Sequence, residues 1–363
     1  MIRTAIFPGR YVQGAGALTR LGSELSRLGS RAFLLCAPSV IYRLMPLFDI
    51  DVAAHVEVVK EPFRGECSDE EIARVSALVA ASGCDVVAGI GGGKTLDTAK
   101  AVAHGLQLPV ASAPTIASTD APCSALSVVY TPDGRFKRYL MHGTNPNLVL
   151  VDTSVIAQAP VRFLVSGMGD ALATWFEADS CRTKYAANMT GDLGCEAAYT
   201  LARLCYDTLL EHGLSAKMSC EAHVVTHALE HVVEANTLLS GLGFESGGLA
   251  AAHAIHNGLT VLGGAHGSFH GEKVAIGVLA SLFLTDKTSE VIDEVYDFYD
   301  EVGLPATLAD IGLEGVSDDD LMRVANAATA PGETMHNEPV PVTPEMVFAA
   351  LKLADAEGRA RKR

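Results

Sequence analysis

From the N-terminus to about residue 150, short β-branched runs alternate with segments whose apolar residues recur at every third and fourth position. Alternation of this kind is the pattern of a wound parallel sheet with helical crossovers. The runs Arg31–Cys36, Val52–Val59, Asp85–Ile90, Pro109–Ser112 and Leu148–Val151 predict its strands. Ser68–Ala81 and Lys94–His104 predict helices between them, the first opened by Ser68 as a cap with acidic residues in its first turn. Thr131-Pro132-Asp133-Gly134 reads as the turn of a hairpin over Ser127–Leu140.

Beyond Val161 the pattern changes to long stretches rich in Ala, Leu, Glu and Met, and Asn188–His212, Ser215–Leu239 and Glu290–Val302 predict helices with few strand signals between them. Ala159-Pro160 breaks the last sheet connection and starts the first of these helices. The expected organisation is an α/β nucleotide-binding domain over 1–160, Rossmann-like with a parallel sheet, followed by an all-α domain over 161–363 that would carry a metal. No internal repeat or low-complexity linker interrupts it.

Charge narrows the possible partners. The formal net charge of −16 over 363 residues argues against nucleic-acid and anionic-membrane surfaces, both of which need clustered positive charge. The basic end Arg359, Arg361, Lys362 and Arg363 fits a solvated helix terminus that complements the helix dipole. Eight cysteines, with no Cys-x-x-Cys pair, read as small buried hydrophobes in a reducing compartment. Without a signal-like start or an apolar run of membrane-spanning length, the chain is expected to be soluble and cytoplasmic.

Candidate chemistry sits in three segments, Gly167–Ala178, Gly247–Thr260 and Phe269–Lys273, each placing one metal-ligating residue among glycines and small apolar side chains: Asp170, His253 and His270. One carboxylate and two imidazoles leave a divalent ion such as zinc with open positions, as in a catalytic site. His256, one turn after His253, is either structural or a partner of the ligands. His223, His227 and His231, spaced by four, would align on one helix face and either chelate a metal or be structural or solvated.

Gly89-Ile90-Gly91-Gly92-Gly93-Lys94-Thr95 ends a predicted strand and opens a helix, where backbone N–H groups and the helix dipole favour a phosphate or pyrophosphate. Ala88 departs from the nucleoside-triphosphate loop and Lys94 from the usual dinucleotide fingerprint, so a tight strand-to-helix turn without ligand remains an alternative.

Taken with the stretch Pro114–Ser124, which contains Ser118-Thr119-Asp120, these segments resemble the glycerol dehydrogenases of the iron-containing alcohol dehydrogenase superfamily. The resemblance runs in order from the glycine loop through Gly167–Ala178, Ser246–Gly258 and His270–Lys273 to Gly332–Asn337. It implies a dehydroquinate synthase-like architecture with the active site in a cleft between the two domains. Asp170, His253 and His270 map to zinc ligands, and Gly93 and Lys94 to contacts with the cofactor phosphates. Thr115, Ser118, Ser124, Leu126 and Tyr130 map to further NAD contacts, and Asp120 to the residue that meets the polyol. A homo-octamer is implied as well, and the implied reaction is reversible oxidation of glycerol at C2 to dihydroxyacetone, with other vicinal diols in the same class.

Two departures matter. Iron-using relatives carry a histidine four residues after the metal-binding aspartate, where this chain has Thr174, which favours zinc over iron or manganese. Related NAD enzymes carry an acid at the end of the second strand, where this chain has Cys36-Ala37-Pro38. The usual barrier to NADP is therefore missing, although no adjacent arginine would receive a 2′-phosphate. The alternatives on the same framework are a dehydroquinate synthase-like lyase and a glycerol-phosphate dehydrogenase, both needing more basic residues than Arg162, Arg182 and Lys273 supply. A helical metal-binding scaffold would leave the glycine loop and Ser118-Thr119-Asp120 without a purpose.

Overall fold

Side chains alternate along the sheet between two separate cores, which is what a sheet buried on both faces requires. In β2 (Arg31–Cys36), Ala32, Leu34 and Cys36 enter one core with Val86, Ala88 and Ile90, while Phe33 and Leu35 enter the other with Val75, Val79, Ala99 and Val102. The computed structural model describes residues 1–362, without the side chains of 47–50; Arg363 of the basic terminus lies outside the described residues.

The remaining strands are β1 (Tyr11–Gly14), β3 (Glu57–Pro62), β4 (Val86–Gly91), β5 (Val110–Pro114), β6 (Leu126–Tyr130), β7 (Phe136–Met141) and β8 (Leu148–Asp152). Among the described residues, six of the strands form one sheet in the order β1-β8-β5-β4-β2-β3, every neighbouring pair parallel. The antiparallel hairpin β6-β7 stands apart from it, and its turn is closed by Gly134 N–H donating to the Thr131 carbonyl at 2.8 Å.

The helices are α1 (Leu21–Leu25), α2 (Met45–His55), α3 (Asp69–Ser82), α4 (Gly93–Leu106), α5 (Thr153–Ala157), α6 (Val161–Lys184) and α7 (Glu196–Glu221). They continue with α8 (His227–Glu234), α9 (Ser240–Gly247), α10 (Ala251–Leu259), α11 (His270–Leu284), α12 (Ser289–Val302), α13 (Asp318–Ala328) and α14 (Pro344–Arg361). Ser68 caps α3, its hydroxyl accepting the Glu71 N–H at 3.2 Å. No helix among the described residues is long and apolar enough to cross a membrane. The cysteines are free, and all but Cys195 are buried.

Contacts divide the chain into two compact units: a sheet unit of 6–160 with 219–241, and a helical unit of 1–5, 161–218 and 242–363. Residues 219–241, which the boundary expected at 160 assigns to the helical half, thus group with the sheet. Polar contacts explain why, since Glu230 accepts from Gln13 Nε2 at 2.9 Å and Thr153 Oγ1 at 2.7 Å, and Asn236 donates to the Ala117 carbonyl at 3.0 Å.

Three predicted elements need correction. The β-branched run Val52–Val59 does not form one strand: Val52 buries itself in the sheet core as part of α2, and β3 begins only at Glu57. Residues 188–195 are not helical, because the Asn188 side-chain amide instead binds the Thr4 and Ser246 carbonyls. The helix predicted over Ser215–Leu239 breaks after Glu221; His223 takes a left-handed φ of 57°, and Thr226 caps a new helix by accepting from Leu229 N–H.

That break also disposes of the histidine stripe. His223 lies in the connection, with Nδ1 2.9 Å from the Ala157 carbonyl, while His227 opens α8, so the three imidazoles do not share one helix face. The basic terminus is ion-paired rather than merely solvated: Arg359 meets Asp355, Arg361 meets Asp293 and Glu357, and Lys362 meets Asp310.

Candidate active site

In the helical unit, glycines beside Asp170, His253 and His270 set the geometry. A Cβ on Gly271 would fall 1.8 Å from the Ser166 carbonyl oxygen, and one on Gly169 would fall 2.6 Å from the Gly271 carbonyl oxygen. Helices α6 and α11 therefore touch backbone to backbone where Asp170 and His270, the residues following and preceding those glycines, reach the same point. On the other side of α11, a Cβ on Gly277 would fall 2.3 Å from the Ala252 carbonyl oxygen, which brings α10 and His253 equally close. The small residues around Asp170, His253 and His270 are a packing requirement of this arrangement.

Asp170, His253 and His270 offer ligand atoms that all lie within 4.8 Å of one another, and no other group of three His, Cys, Asp or Glu side chains does so among the described residues. Asp170 Oδ1 is 3.1 Å from His270 Nε2 and 3.5 Å from His253 Nε2. The carboxylate is buried, yet neither of its oxygens receives a hydrogen bond. A buried, unsatisfied carboxylate is costly unless a cation completes it, and a carboxylate with two imidazoles is a donor set for zinc or another borderline divalent ion. These residues fit a metal.

Their electrostatics agree. Burial alone would raise the Asp170 carboxyl, but the imidazoles of His270 and His253 outweigh it and hold its pKa well below the usual range. Burial likewise works against a charged His253, yet Glu177 and Asp170 push its pKa well above the ordinary imidazole value. A field that holds a proton there also favours a divalent cation in its place.

Glu177, two turns after Asp170 on α6, is the buried acid that orients His253. Its Oε2 lies 2.6 Å from His253 Nδ1, and its Oε1 accepts the N–H groups of Ala250 and His253, each at 2.9 Å. Glu338 accepts the Ala251 N–H at 2.9 Å and the Ser180 hydroxyl at 2.7 Å. Two buried carboxylates thus satisfy the start of α10, which has no side-chain cap of its own.

His270 is oriented by a chain of partners. Its Nδ1 is 3.0 Å from His256 Nε2, His256 Nδ1 is 3.1 Å from Asn257 Oδ1, and Asn257 Nδ2 donates to Glu333 Oε2 at 3.0 Å. With His270 Nε2 turned to the ligand cluster, each member donates outward to the next, ending on a carboxylate. Burial pushes the His256 pKa well down, helped by His270 and His253, which keeps this imidazole neutral and able to accept. Sequence reasoning left Glu177, Asn257 and Glu333 without roles; only the seven-residue spacing of Glu177 from Asp170 hinted at a shared helix face.

In the sheet unit, the glycine loop lies at the carboxyl ends of β2 and β4, where the strand order reverses. A Cβ on Gly89 would meet Ala99 at 2.8 Å, so α4 packs hard against its own strand. Gly92 precedes the helix and Gly93 begins it; a Cβ on Gly93 would have only Ala121 and Thr119 nearby, at 3.9 and 4.0 Å. Space is left over the first N–H groups of α4, the requirement for an anion at a helix start.

Of the other predicted cofactor contacts, Thr115 and Tyr130 touch this loop. Thr115 N–H donates to the Gly91 carbonyl at 3.0 Å. Lys94 pairs with Glu66 at 2.7 Å and lies over the Tyr130 ring at 5.1 Å. Ser118 and Tyr130 are half-buried, whereas Leu126 is buried, as is Ser124, whose hydroxyl lies 3.0 Å from the Lys100 ammonium. Asp120 accepts from the Ser240 hydroxyl at 2.7 Å. At the end of β2, Cys36 points into the core and is followed by half-buried Ala37 and exposed Pro38, none of them acidic.

The family profile of the iron-containing alcohol dehydrogenases matches residues 8–153. A glycerol dehydrogenase of Thermotoga maritima is 66% identical over 362 residues, covering 100% of this chain and 99% of the relative. One from Escherichia coli is 51% identical, covering 97% and 96%. The crystal structure of a probable glycerol dehydrogenase from Sinorhizobium meliloti superposes with a TM-score of 0.93 at 43% identity, covering 99% of this chain and 100% of that one.

Proposed function

Because the chain belongs to the iron-containing alcohol dehydrogenase family, we propose that it is a zinc-dependent, NAD-linked glycerol dehydrogenase. It oxidises glycerol reversibly at C2 to dihydroxyacetone, and other vicinal diols are substrates of the same class. The observation that carries this reading is the buried Asp170 carboxylate, which receives no hydrogen bond and faces the imidazoles of His253 and His270.

Bound zinc supplies Lewis acidity that lowers the pKa of a substrate hydroxyl, and bound NAD supplies the acceptor for hydride. Asp170, His253 and His270 hold the ion, with Glu177 and the His256–Asn257–Glu333 chain keeping the two imidazoles turned toward it. Asp120 accepts a hydrogen bond from a substrate hydroxyl. Gly93, Lys94 and the start of α4 receive the pyrophosphate, while Thr115, Ser118, Ser124, Leu126 and Tyr130 form the adjoining wall. Thr174 in place of a fourth, imidazole ligand supports zinc over iron. The lack of an arginine adjacent to Ala37 in sequence supports NAD over NADP.

A polyol suits the basic residues near the ligands better than a phosphorylated substrate does, because each is already engaged. Arg162 is held by both oxygens of Glu272, Arg182 meets Asp179 at 2.8 Å, and Lys273 donates to the Ser268 carbonyl at 2.9 Å. The family resemblance also supports a cytoplasmic homo-octamer.

The test is reduction of NAD by glycerol in the purified protein, followed at the nicotinamide absorbance band after chelation and after zinc is returned. Glycerol-dependent reduction restored by zinc is expected, and its absence would sink the proposal. Asp170→Ala should lose both zinc and turnover while still binding NAD.

A further inference from the structure

Lys100 is a fully buried ammonium that takes no part in the proposed chemistry. It is 2% exposed, and a charge is not kept in a protein interior for packing alone. Lys100 Nζ lies 2.8 Å from the Ala121 carbonyl, 2.6 Å from the Leu126 carbonyl, and 3.3 and 3.0 Å from the carbonyl and hydroxyl oxygens of Ser124. An ammonium has three protons, and these neighbours account for all of them. Asp97 Oδ1, 2.9 Å away and three residues earlier on α4, supplies the compensating charge.

Asp97 grips the same stretch of chain. Its Oδ2 accepts the Val128 N–H at 3.0 Å, and its backbone carbonyl accepts the Ser127 hydroxyl at 2.7 Å. One turn of α4 therefore binds Ala121, Ser124, Leu126, Ser127 and Val128, mostly through backbone atoms, as the chain leaves the irregular segment after β5 and enters β6. A buried ion pair is often no more stabilising than apolar residues of the same volume. What the pair provides here, and apolar side chains could not, is a fixed path for a segment whose first part, 121–125, lies outside any strand.

That path borders the glycine loop: Ala121 and Thr119 are the nearest neighbours of Gly93 on its side-chain face, and Ile116 is the nearest of Gly92. Because Lys100 and Asp97 stand on the helix whose start forms the loop, the loop and its wall are set by one rigid element. We infer that Asp97 and Lys100 are positioning residues for the dinucleotide, holding 121–128 at the distance from the start of α4 that NAD requires. This inference rests on reading that segment as part of the NAD site.

The experiment uses full-length Lys100→Met, with Asp97→Asn as a milder second variant that decides by the same criteria if Lys100→Met does not fold. NAD affinity is measured by calorimetric titration, KM by steady-state kinetics, zinc by elemental analysis, and backbone exposure by hydrogen exchange. The expected result is a rise of about tenfold or more in the Kd and KM for NAD, with KM for glycerol and zinc content unchanged. Exchange at 121–128 should quicken while that of α10 and α11 stays as in the wild type. Unchanged NAD affinity, or parallel losses of NAD, zinc and protection throughout the chain, would overturn it. Gly93→Val and Tyr130→Ala separate the two levels. If both leave NAD affinity intact, the reading of the site is wrong; if both weaken it and Lys100→Met does not, only the positioning role fails.

Discussion

Glu177 holds His253 by two atoms at once, Oε2 lying 2.6 Å from Nδ1 while Oε1 accepts the backbone N–H of the same residue at 2.9 Å. The grip fixes both the tautomer and the position of the ring, leaving Nε2 to face Asp170. Glu177→Gln keeps the volume but replaces one charged acceptor with an amide that presents a single oxygen. Zinc affinity, measured by chelator competition, should fall about 10–100-fold, with the circular dichroism spectrum unchanged. Retention of wild-type affinity would mean that His253 is oriented by packing alone.

Gly271→Ala tests whether the convergence of Asp170, His253 and His270 depends on the crossing of α6 and α11. The added methyl group would overlap the Ser166 carbonyl oxygen at 1.8 Å, and the obstacle is backbone rather than a movable side chain. Separation of the helices should cost about 1–3 kcal/mol and move His270 away from Asp170. Zinc should be lost from a protein that still folds and still binds NAD, whereas Gly263→Ala, which meets open space, should leave zinc in place.

His142 supplies a pH dependence. Burial, assisted by the charge of Lys100, lowers its pKa to about 3, below the ordinary imidazole value of about 6.5. Its Nε2 is 2.8 Å from the Ser127 hydroxyl, which itself donates to Asp97, and its Nδ1 has no hydrogen-bond partner. The folded-state pKa is depressed, so the unfolded chain takes up the proton first, and stability falls as pH drops from about 6.5 toward about 3. At pH 5 this one group costs roughly 2 kcal/mol. His142→Gln, which can still donate to Ser127, should lose less stability between pH 7 and pH 5 than the wild type in denaturant titrations. An equal loss in both would assign the acid sensitivity to other groups.

Much of the sheet was legible because both of its signals are local. The β-branched run Arg31–Cys36 is β2 itself, and Ser68 caps α3 as its residue type and the following acids predict. Misreadings occurred where a distant contact outweighed local preference. Val52 is β-branched but follows the sheet core into α2, and the helical pattern after Ser215 could not reveal the left-handed turn at His223 that ends it. Of the site, Asp170, His253 and His270 stood out by residue type and by their glycine neighbours. Glu177, Asn257 and Glu333 did not, because a hydrogen bond between residues 76 apart in sequence leaves no periodicity to read. Lys100 was concealed for the opposite reason: on a helix of ordinary pattern it looks like any surface lysine.

The backbone contacts at Gly169, Gly271 and Gly277 also limit how this protein could be made more heat-resistant. Replacing helical glycine by alanine is among the simplest stabilising substitutions, yet at these three positions it would push apart the helices that carry Asp170, His253 and His270. Gly105, near the end of α4, meets nothing within 4 Å and has no positive φ, so alanine there should add about 0.5–1 kcal/mol. Thermostability in this fold has to be gathered at such outlying helix positions, because the helices around the catalytic centre are already as close as their chains permit.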